Sequence, residues 1–392
     1  MRKLLPNPGG QLDPDDVFGR DTLIRKLWRT LRRQSVVMTA ERRMGKTSVI
    51  RKMMAGLPSG VAAVYQDLEQ VHSADEFADL ICRSVRPYLG NLKRATDVGH
   101  RVLQKLTDVN FGEGGISFDV QAPPWQVAVS EALADLDRQP GELFVFFWDE
   151  IPLMVDQIAR RMGERQAIEV LDLLRALRHE CRSLRMVYTG SIGLHHVVGR
   201  LKASGYTNEP TNDMYPLELP PLAAEDAKQL ALSLLAGTEA RAADPYAVAA
   251  AMTEETDGIA YLIHYVADLL RDDPRVDALA VRSAVVSALT AAEDPLNLHH
   301  YESRITDYYP PQDQAMVLAI LDSLAICADP LKQSAVFNLV KSQVSTEDRE
   351  RFRELLGLLC RDHYLHSNAA GYSFRFSIIR RYWCLHRGLG AE

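Results

Sequence analysis

Cysteine is scarce in this chain of 392 residues: there are five, and none of them forms a Cys-x-x-Cys pair. We therefore expect neither a disulfide scaffold nor a zinc ribbon, and the reducing cytoplasm is the natural location. Long apolar runs are lacking too. The densest, 143–148, has the length of a strand and falls well short of the roughly 18 residues that a membrane-spanning helix requires. The first ten residues also lack the apolar region of a secretory signal.

An excess of positive charge is absent as well. The chain has 45 Lys and Arg against 52 Asp and Glu, a formal net charge of -7, which does not indicate a protein that binds nucleic acid over its whole surface. Hydrophobic residues make up 47% and charged residues 25%, as in ordinary globular proteins, so disordered and fibrous classes are excluded. The length predicts two or three domains.

Apolar strand-like runs alternate with helical patterns in the first part of the chain. The predicted strands are Ser35–Thr39, Val61–Tyr65, Leu143–Trp148, Met186–Thr189 and a run near Met214–Leu217. This alternation predicts a parallel sheet with helices on both faces, and the run 143–148 requires burial on both sides. From Leu230 to Leu289 the pattern is helical throughout. The predicted domains are therefore 1–222, 223–298 and 299–392.

Finer elements are also predicted. A helical pattern covers 73–107, a glycine-containing hairpin is expected over 109–120, and 293–311 has the prolines of a linker. The last 80 or so residues predict three helices and a two-stranded wing. Ser345 is the expected N-cap of the third helix.

The segment Thr39–Ser48 contains the pattern that carries chemistry. The phosphate-loop motif GxxxxGK(S/T) appears here with Ala40 in place of the first glycine, followed by Gly45-Lys46-Thr47. Backbone N–H groups at a helix start can hold phosphates, Lys46 would reach the β and γ oxygens, and Thr47 would ligate Mg²⁺. A chance Gly-Lys-Thr-Ser sequence is the alternative. The strand before the loop and the helix after it argue against chance.

Two further segments end in polar groups. The apolar strand 143–148 leads into Asp149, which would bind Mg²⁺ through water, and Glu150, which would activate the attacking water as a general base. A strand that ends in surface acids is the alternative. Thr189-Gly190-Ser191 follows the next strand and would place a hydroxyl near the γ-phosphate, although the same residues are also common in turns.

In this order, these segments resemble P-loop ATPases of the AAA+ and STAND group. The greatest similarity is to the archaeal-type and prokaryotic ATPase families with a C-terminal winged helix. The resemblance covers effectively the whole chain. The matching residues are Phe18-Gly19-Arg20, the Walker A segment Glu41–Ser48, the Walker B segment Trp148–Pro152, Thr189-Gly190-Ser191, Leu217–Leu222 and Gly258–Leu262.

The resemblance implies an α/β fold: a P-loop NTPase core of the ASCE or AAA+ type, a helical lid and a winged helix, with ATP and Mg²⁺ as ligands. It implies that the acidic strand lies next to the phosphate-loop strand. Its nucleotide-binding positions are Phe18, Arg20, Glu41, Arg42, Arg43, Met44, Gly45, Lys46, Thr47 and Ser48, with Phe18 and Arg20 near the adenine. Its metal ligands are Thr47 and Asp149, and its catalytic residues are Lys46, Glu150 and the sensor Ser191 or Thr189.

Two departures from the family pattern are Ala40 in the loop and Ala260, where a lid proline is frequent. Neither removes a catalytic group, so ATP hydrolysis is expected, at a slow or partner-stimulated rate. An arginine of a neighbouring subunit often completes such sites. Arg175, Arg178 and Arg200 are the candidates by position.

The identity of the partner is left open by the sequence. Four arginines without a nearby acid, Arg375, Arg380, Arg381 and Arg387, predict contacts with DNA phosphates from the C-terminal domain. The mixed charges of the third helix instead favour a winged helix that binds a protein, as in a signalling or scaffold ATPase. The basic first helix, with Arg25, Lys26, Arg29, Arg32 and Arg33, fits DNA, an acidic surface of a next subunit, or a solvated face.

Overall fold

A computed structural model describes residues 2–89, 124–138, 143–190 and 193–390, which form two compact units. The sheet unit comprises Thr22–Thr39 and the described residues of Val49–Leu219. The loop unit comprises the residues up to Asp21, the segment Ala40–Ser48 and the residues from Pro220 onward. The predicted lid and C-terminal domain both fall within the loop unit, and their separation at 298 stays a prediction.

The sheet unit contains five parallel strands in the order β2-β3-β4-β1-β5. They are β1 (Val36–Thr39), β2 (Val61–Asp67), β3 (Leu143–Asp149), β4 (Leu184–Tyr188) and β5 (Tyr215–Glu218). Each corresponds to one of the predicted apolar runs. The predicted parallel α/β sheet is confirmed.

The prediction that the acidic strand lies next to the phosphate-loop strand was wrong. The acidic strand β3 pairs with β2 and β4, whereas β1 pairs with β4 and β5, so that β4 lies between the two. In register, Val36 of β1 faces Val187 of β4, and Trp148 of β3 faces Tyr188. β4 is the central strand of the five and is almost wholly buried. The physical reason for the error is that crossovers between parallel strands are long, so no local pattern shows which strands pair.

Seven α-helices precede Pro220 in the described part of the chain. They are α1 (Asp21–Leu31), α2 (Lys46–Ala55), α3 (Ala74–Leu89), α4 (Trp125–Asp137), α5 (Ile151–Met162), α6 (Glu164–Glu180) and α7 (Leu194–Ala203). The helix expected over 73–107 corresponds to α3 as far as Leu89. The remainder of that helix and the hairpin expected over 109–120 lie outside the described residues.

Burial on both faces of β3 is confirmed by its aromatic side chains. On one face, the Trp148 ring packs edge-on against Phe77 of α3, with ring centroids 5.4 Å apart. On the other, Phe147 packs edge-on against Trp28 of α1 at 6.2 Å. Both β3 side chains are completely buried. Such T-shaped contacts, added to the buried area, hold a helix on each side of the sheet.

The loop unit is helical from Pro220 onward, apart from one two-stranded antiparallel sheet. Its helices are α8 (Ala224–Leu235), α9 (Pro245–Glu255), α10 (Ala260–Leu269), α11 (Ala278–Thr290), α12 (His300–Tyr308), α13 (Pro311–Ala325), α14 (Gln333–Val344), α15 (Arg349–Arg361) and α16 (Ser377–His386), and its strands are β6 (Leu365–Ser367) and β7 (Tyr372–Phe374). The predicted three helices and strand pair are observed in that order from α13 to β7, but a fourth helix, α16, follows them and was not predicted.

The linker expected over 293–311 was wrong in part, because it contains α12. This helix buries Tyr301 and Ile305, which are 2% and 1% exposed. Its nine residues lie between prolines that gave the segment the appearance of a loop. Helices of this length depend on tertiary packing, which the sequence pattern does not show.

None of the helices in the described ranges combines the length and apolar character needed to cross a membrane.

The N-cap of α15 is Asp348, not the expected Ser345. The Asp348 Oδ1 atom accepts a hydrogen bond from the N–H of Arg351 at 2.9 Å. Ser345 instead ends α14 in the left-handed conformation, with φ of 50°. The segment between the two helices is therefore a C-cap followed by an N-cap, and the aspartate satisfies one of the free N–H groups at the start of α15.

We expect the Asp348→Ala substitution to lower the free energy of unfolding by about 1 kcal/mol, because it removes the acceptor of a helix cap. Ser345→Ala removes no cap and should change it by less than about 0.5 kcal/mol. Urea denaturation followed by circular dichroism measures both. The reverse order of the two effects would show that Ser345 is the cap.

Candidate functional site

The phosphate loop runs from the carboxyl end of β1 to the start of α2. Two of its residues have left-handed backbone conformations, Arg43 with φ of 64° and Gly45 with φ of 89°. Ala40, which replaces the usual glycine, is not among the described residues with positive φ. An alanine side chain therefore fits its backbone without strain.

Lys46 lies inside the curve of this loop. Its Nζ atom donates hydrogen bonds to the carbonyls of Ala40, at 3.1 Å, and Glu41, at 3.3 Å. Lys46 is buried, and the half-buried Thr47 and Ser48 follow it in the first turn of α2. The loop thus presents an ammonium group, two hydroxyls and a helix N-terminus, which together favour an anionic ligand.

Arg20, which precedes the phosphate loop in the sequence, holds the loop by hydrogen bonds. Its guanidinium donates to the carbonyl of Met44 at 3.3 Å and to that of Pro220 at 2.8 Å. Burial lowers the pKa of Arg20 to about 10, and the charge of Asp226 partly opposes this. Gly19, with φ of 64°, is required, because a Cβ atom there would lie 2.7 Å from Asp226 Cβ. Phe18 is half-buried just before this turn.

Glu41 is the most deeply placed charge of the loop, at 3% exposure. Its Oε1 atom accepts hydrogen bonds from Arg304 Nη1 of α12 and from the N–H of Arg42, each at 2.8 Å. His300 Nε2 lies 3.6 Å from the same oxygen. Burial alone would raise the pKa of Glu41, but Arg304 and His300 outweigh it and lower the pKa to about 2. A buried ion pair therefore joins the loop to α12.

Other groups of the C-terminal elements lie near this pair. Arg304 Nη2 donates to the carbonyl of Asp362 at 3.4 Å, and its guanidinium lies 5.5 Å from the ring centroid of Tyr364. His363 follows with φ of 64°, and its Nδ1 lies 3.0 Å from Arg375 Nη1. Burial lowers the pKa of His363. The charge of Arg304 lowers it further, and that of Glu41 acts in the opposite direction.

Arg42 and Arg43, the next two predicted nucleotide contacts, differ in their surroundings. The Arg43 guanidinium stacks over the ring of Tyr261 in α10, 4.2 Å from its centroid. Arg42 is exposed. The side chains of Glu41 and Arg43 thus contact the protein itself, so a nucleotide would meet mainly the backbone here.

In the sheet unit, Asp149 lies at the carboxyl end of β3 and is 6% exposed. One carboxylate oxygen accepts a hydrogen bond from the Thr189 hydroxyl and the other from the Tyr65 hydroxyl, at 3.4 Å. Burial and the Asp149 charge raise the pKa of Tyr65, so its phenol stays protonated and donates. The two hydroxyls fix the orientation of the carboxylate.

Glu150 follows in a left-handed backbone conformation, with φ of 61° and ψ of 33°. For a residue other than glycine this conformation costs roughly 1–2 kcal/mol. The turn is held by the N–H of Ile151, which donates to the carbonyl of Thr189 at 3.1 Å. Such strain is common at functional positions.

The structure thus groups the predicted residues into two sets. In the loop unit, Arg20 contacts the phosphate loop, and in the sheet unit Asp149, Glu150 and Thr189 lie at one edge of the sheet. Ser191, the predicted sensor, lies outside the described residues.

Two residues of the candidate site, Arg304 and Tyr65, were not predicted from the sequence. Arg304 is 263 residues from its partner Glu41, and Tyr65 was read only as part of a strand. Neither position carries a local motif, so no sequence signal short of the fold identifies them.

Arg178, one of the three subunit-bridging candidates, is a structural residue of the sheet unit. Its side chain is 2% exposed and pairs with Asp213 at 2.7 Å, and it donates to the hydroxyl of Tyr188. Arg200 pairs with Asp156.

The four C-terminal arginines predicted to contact DNA all bond within the loop unit. Arg381 pairs with Glu255 at 2.5 Å, and Arg387 pairs with Asp322 at 2.8 Å. Arg380 donates to the carbonyl of Ala325 at 3.0 Å, and Arg375 contacts His363. Their hydrogen-bonding capacity is partly used by the protein itself.

A scan of protein-family models gives no match to the chain, and a search of curated proteins gives none either. Solved structures do match it over nearly its full length. A Walker-type ATPase of Pyrococcus abyssi is 16% identical, with a TM-score of 0.64, covering 97% of this chain and 99% of the other. The chain has the fold of a P-loop ATPase.

A second similar structure is the ORC2 protein of Aeropyrum pernix, determined in ADPNP and ADP complexes. It is 12% identical, with a TM-score of 0.54, covering 96% of this chain and 97% of the other. Both similarities are at the level of the fold, including the P-loop core on which the sequence prediction was based.

We expect Arg304→Ala to lower the free energy of unfolding by about 3–5 kcal/mol, because it leaves the Glu41 carboxylate buried without its main partner. The double variant Glu41→Met/Arg304→Met removes both charges and should recover much of this loss. Chemical denaturation of the two variants decides the point. Equal losses of unfolding free energy in the two variants would indicate that the unpaired buried charge is not the cause of the destabilisation.

The lowered pKa of Glu41 predicts a pH dependence of stability. Because the folded pKa of about 2 lies below the unfolded value of 4.5, this group stabilises the fold above pH 4.5 and loses that contribution as the pH falls toward 2. Glu41→Gln should flatten this part of the curve of unfolding free energy against pH. An unchanged curve would show that Glu41 is not the group responsible for this pH dependence.

Proposed function

We propose that the protein binds ATP with Mg²⁺ and hydrolyses it at the carboxyl edge of the sheet. The observation that supports this most is the shared direction of β1, β4 and β3. The phosphate loop leaves the carboxyl end of β1, and Asp149 and Glu150 follow the carboxyl end of β3. Because parallel strands end at the same edge of a sheet, the chain leaves β1 and β3 from the same edge at the start of both motifs.

In this site, the N–H groups of the loop and of the first turn of α2 bind the phosphates, and Lys46 contacts the β and γ oxygens. Thr47 and Asp149 would hold Mg²⁺, Asp149 through water, and their hydroxyl and carboxylate oxygens are the donors that this ion prefers. Bound Mg²⁺ would neutralise charge on the phosphates. The proposed role of Arg20 is to hold the loop, with Phe18 near the adenine.

Glu150 is the proposed general base. It accepts a proton from the water that attacks the γ-phosphorus, the bond to the β–γ bridging oxygen breaks, and the products are ADP and phosphate. Thr189, already bonded to Asp149, joins Ser191 as a candidate to sense the γ-phosphate.

The nucleotide would act as a switch through the Glu41–Arg304 pair. Glu41 belongs to the loop that would hold the phosphates, and Arg304 belongs to α12. A ligand that binds one arrangement of the loop better than another shifts the population of C-terminal arrangements by that difference in affinity. Slow or partner-stimulated turnover suits such a role.

In the proposed organisation, 1–222 is the ATPase domain, 223–298 a lid and 299–392 a winged helix that contacts a partner. Contacts with DNA through Arg375, Arg380, Arg381 and Arg387 are one form of this proposal. Their bonds within the protein favour the other, in which the winged helix binds a protein or a second copy of the chain, as in a STAND-type signalling or scaffold ATPase.

Two variants separate binding from turnover. Lys46→Ala should weaken ATP affinity by about tenfold or more, because the phosphates lose their ammonium partner. Glu150→Gln should leave affinity within about twofold of the wild type and reduce turnover by at least about 10²-fold, the usual contribution of a general base. Calorimetry with ATP and Mg²⁺ measures affinity, and phosphate release measures turnover.

The matched control is Glu164→Gln, which removes an exposed acid at the start of α6 and should change neither quantity. Wild-type turnover by Glu150→Gln would remove the proposed base. Undiminished ATP affinity of Lys46→Ala would overturn the assignment of the loop.

A further inference from the structure

A basic groove lies in the sheet unit where α1 ends. Its volume is about 470 Å³, and its lining residues are Lys26, Arg29, Thr30, Arg32, Arg33, Gln34 and Tyr215. Four of the seven carry a positive charge and none is acidic. In a chain with a net charge of -7, this is a local concentration of the opposite sign.

These four cations are exposed, and no acidic side chain in the described part of the protein pairs with them. Among the described residues, no carboxylate oxygen lies within 4.0 Å of the charged nitrogens of Lys26, Arg29, Arg32 or Arg33. Lys26 Nζ lies over the Tyr215 ring, 5.5 Å from its centroid. The C-terminal arginines Arg381 and Arg387, by contrast, each have a carboxylate partner.

The spacing of the cations gives them a common face. Lys26, Arg29 and Arg33 are separated by three and four residues, which places them on one side of a helical path. Hydrogen bonds from the N–H groups of Arg33 and Gln34 to the carbonyl of Thr30 continue that path beyond α1. Seven residues at about 1.5 Å each span about 10 Å. Three nucleotides of one DNA strand rise by a similar distance, at about 3.4 Å each.

The groove is separate from the proposed ATP site. Tyr215 is the first residue of β5, and Arg32, Arg33 and Gln34 immediately precede β1. They therefore lie at the amino edge of the sheet, whereas Asp149 and Glu150 lie at the carboxyl edge. The phosphates of a bound nucleotide do not account for these charges.

We propose that this groove binds the phosphodiester backbone of duplex DNA. The three guanidinium groups and one ammonium group donate to phosphate oxygens, and Gln34 and Thr30 add neutral hydrogen-bonding groups. Such contacts hold a duplex without reading its sequence. An acidic protein fits less well, since Tyr215 is the only aromatic residue of the lining and protein interfaces depend on several apolar anchors.

The test is the salt dependence of binding to a fluorescent duplex of about 20 base pairs, measured by anisotropy without nucleotide. The variant Arg29→Gln/Arg33→Gln should reduce the slope of log K against log salt concentration by about 2, because each phosphate contact contributes about 0.9. Lys26→Gln/Arg32→Gln is a second variant of the same groove and should do likewise.

The matched control is Arg161→Gln/Arg275→Gln, which removes two exposed charges elsewhere and should retain the wild-type slope. Wild-type slopes in both groove variants would overturn the proposal, as would a loss confined to Arg380→Gln/Arg381→Gln. Equal competition by polyglutamate would overturn the choice of a phosphodiester ligand. Because no ATP is present, none of these outcomes depends on the proposed hydrolysis.

Discussion

A buried ion pair ties the phosphate loop to the C-terminal part of the chain. The Glu41 side chain is almost completely removed from water and that of Arg304 largely so, and a carboxylate in such a place is tolerated only with a partner. The loop conformation and the position of α12 therefore depend on each other. Any rearrangement of the loop must either keep this contact or return both charges to solvent, so the pair makes the loop and α12 one cooperative element of the loop unit.

The sequence predicts the type of most elements but not their neighbours. Strands such as Leu143–Asp149 are predictable because burial on both faces requires an unbroken apolar run. Strand order is not, since long crossovers leave no local trace of which strand pairs with which, and β4 was therefore misplaced. The helix His300–Tyr308 was missed because its stability comes from packing of Tyr301 and Ile305, and Ser345 was misassigned because either residue type can cap a helix.

In the candidate site, likewise, the sequence predicts the reactive residues but not the residues that support them. Lys46, Thr47, Asp149 and Glu150 stand out in the sequence because the chemistry requires particular residue types beside a strand end. Their supports do not stand out. The partner of Glu41 is 263 residues away, and the hydroxyl of Tyr65 reaches Asp149 only because β2 and β3 are in register. The same limit applies to the C-terminal arginines, whose acidic partners become visible only in the fold.

The backbone at Glu150 places stability and chemistry in opposition. Glycine adopts the left-handed conformation of this turn with less strain than glutamate does. Replacement of Glu150 by glycine would therefore relieve roughly 1 kcal/mol of conformational strain. The same exchange would remove the carboxylate that follows β3. Selection for thermal stability alone would thus favour loss of the glutamate, whereas the proposed role of Glu150 as a general base would favour its retention. Directed evolution under heat should accordingly find its gains elsewhere in the chain unless turnover is also required.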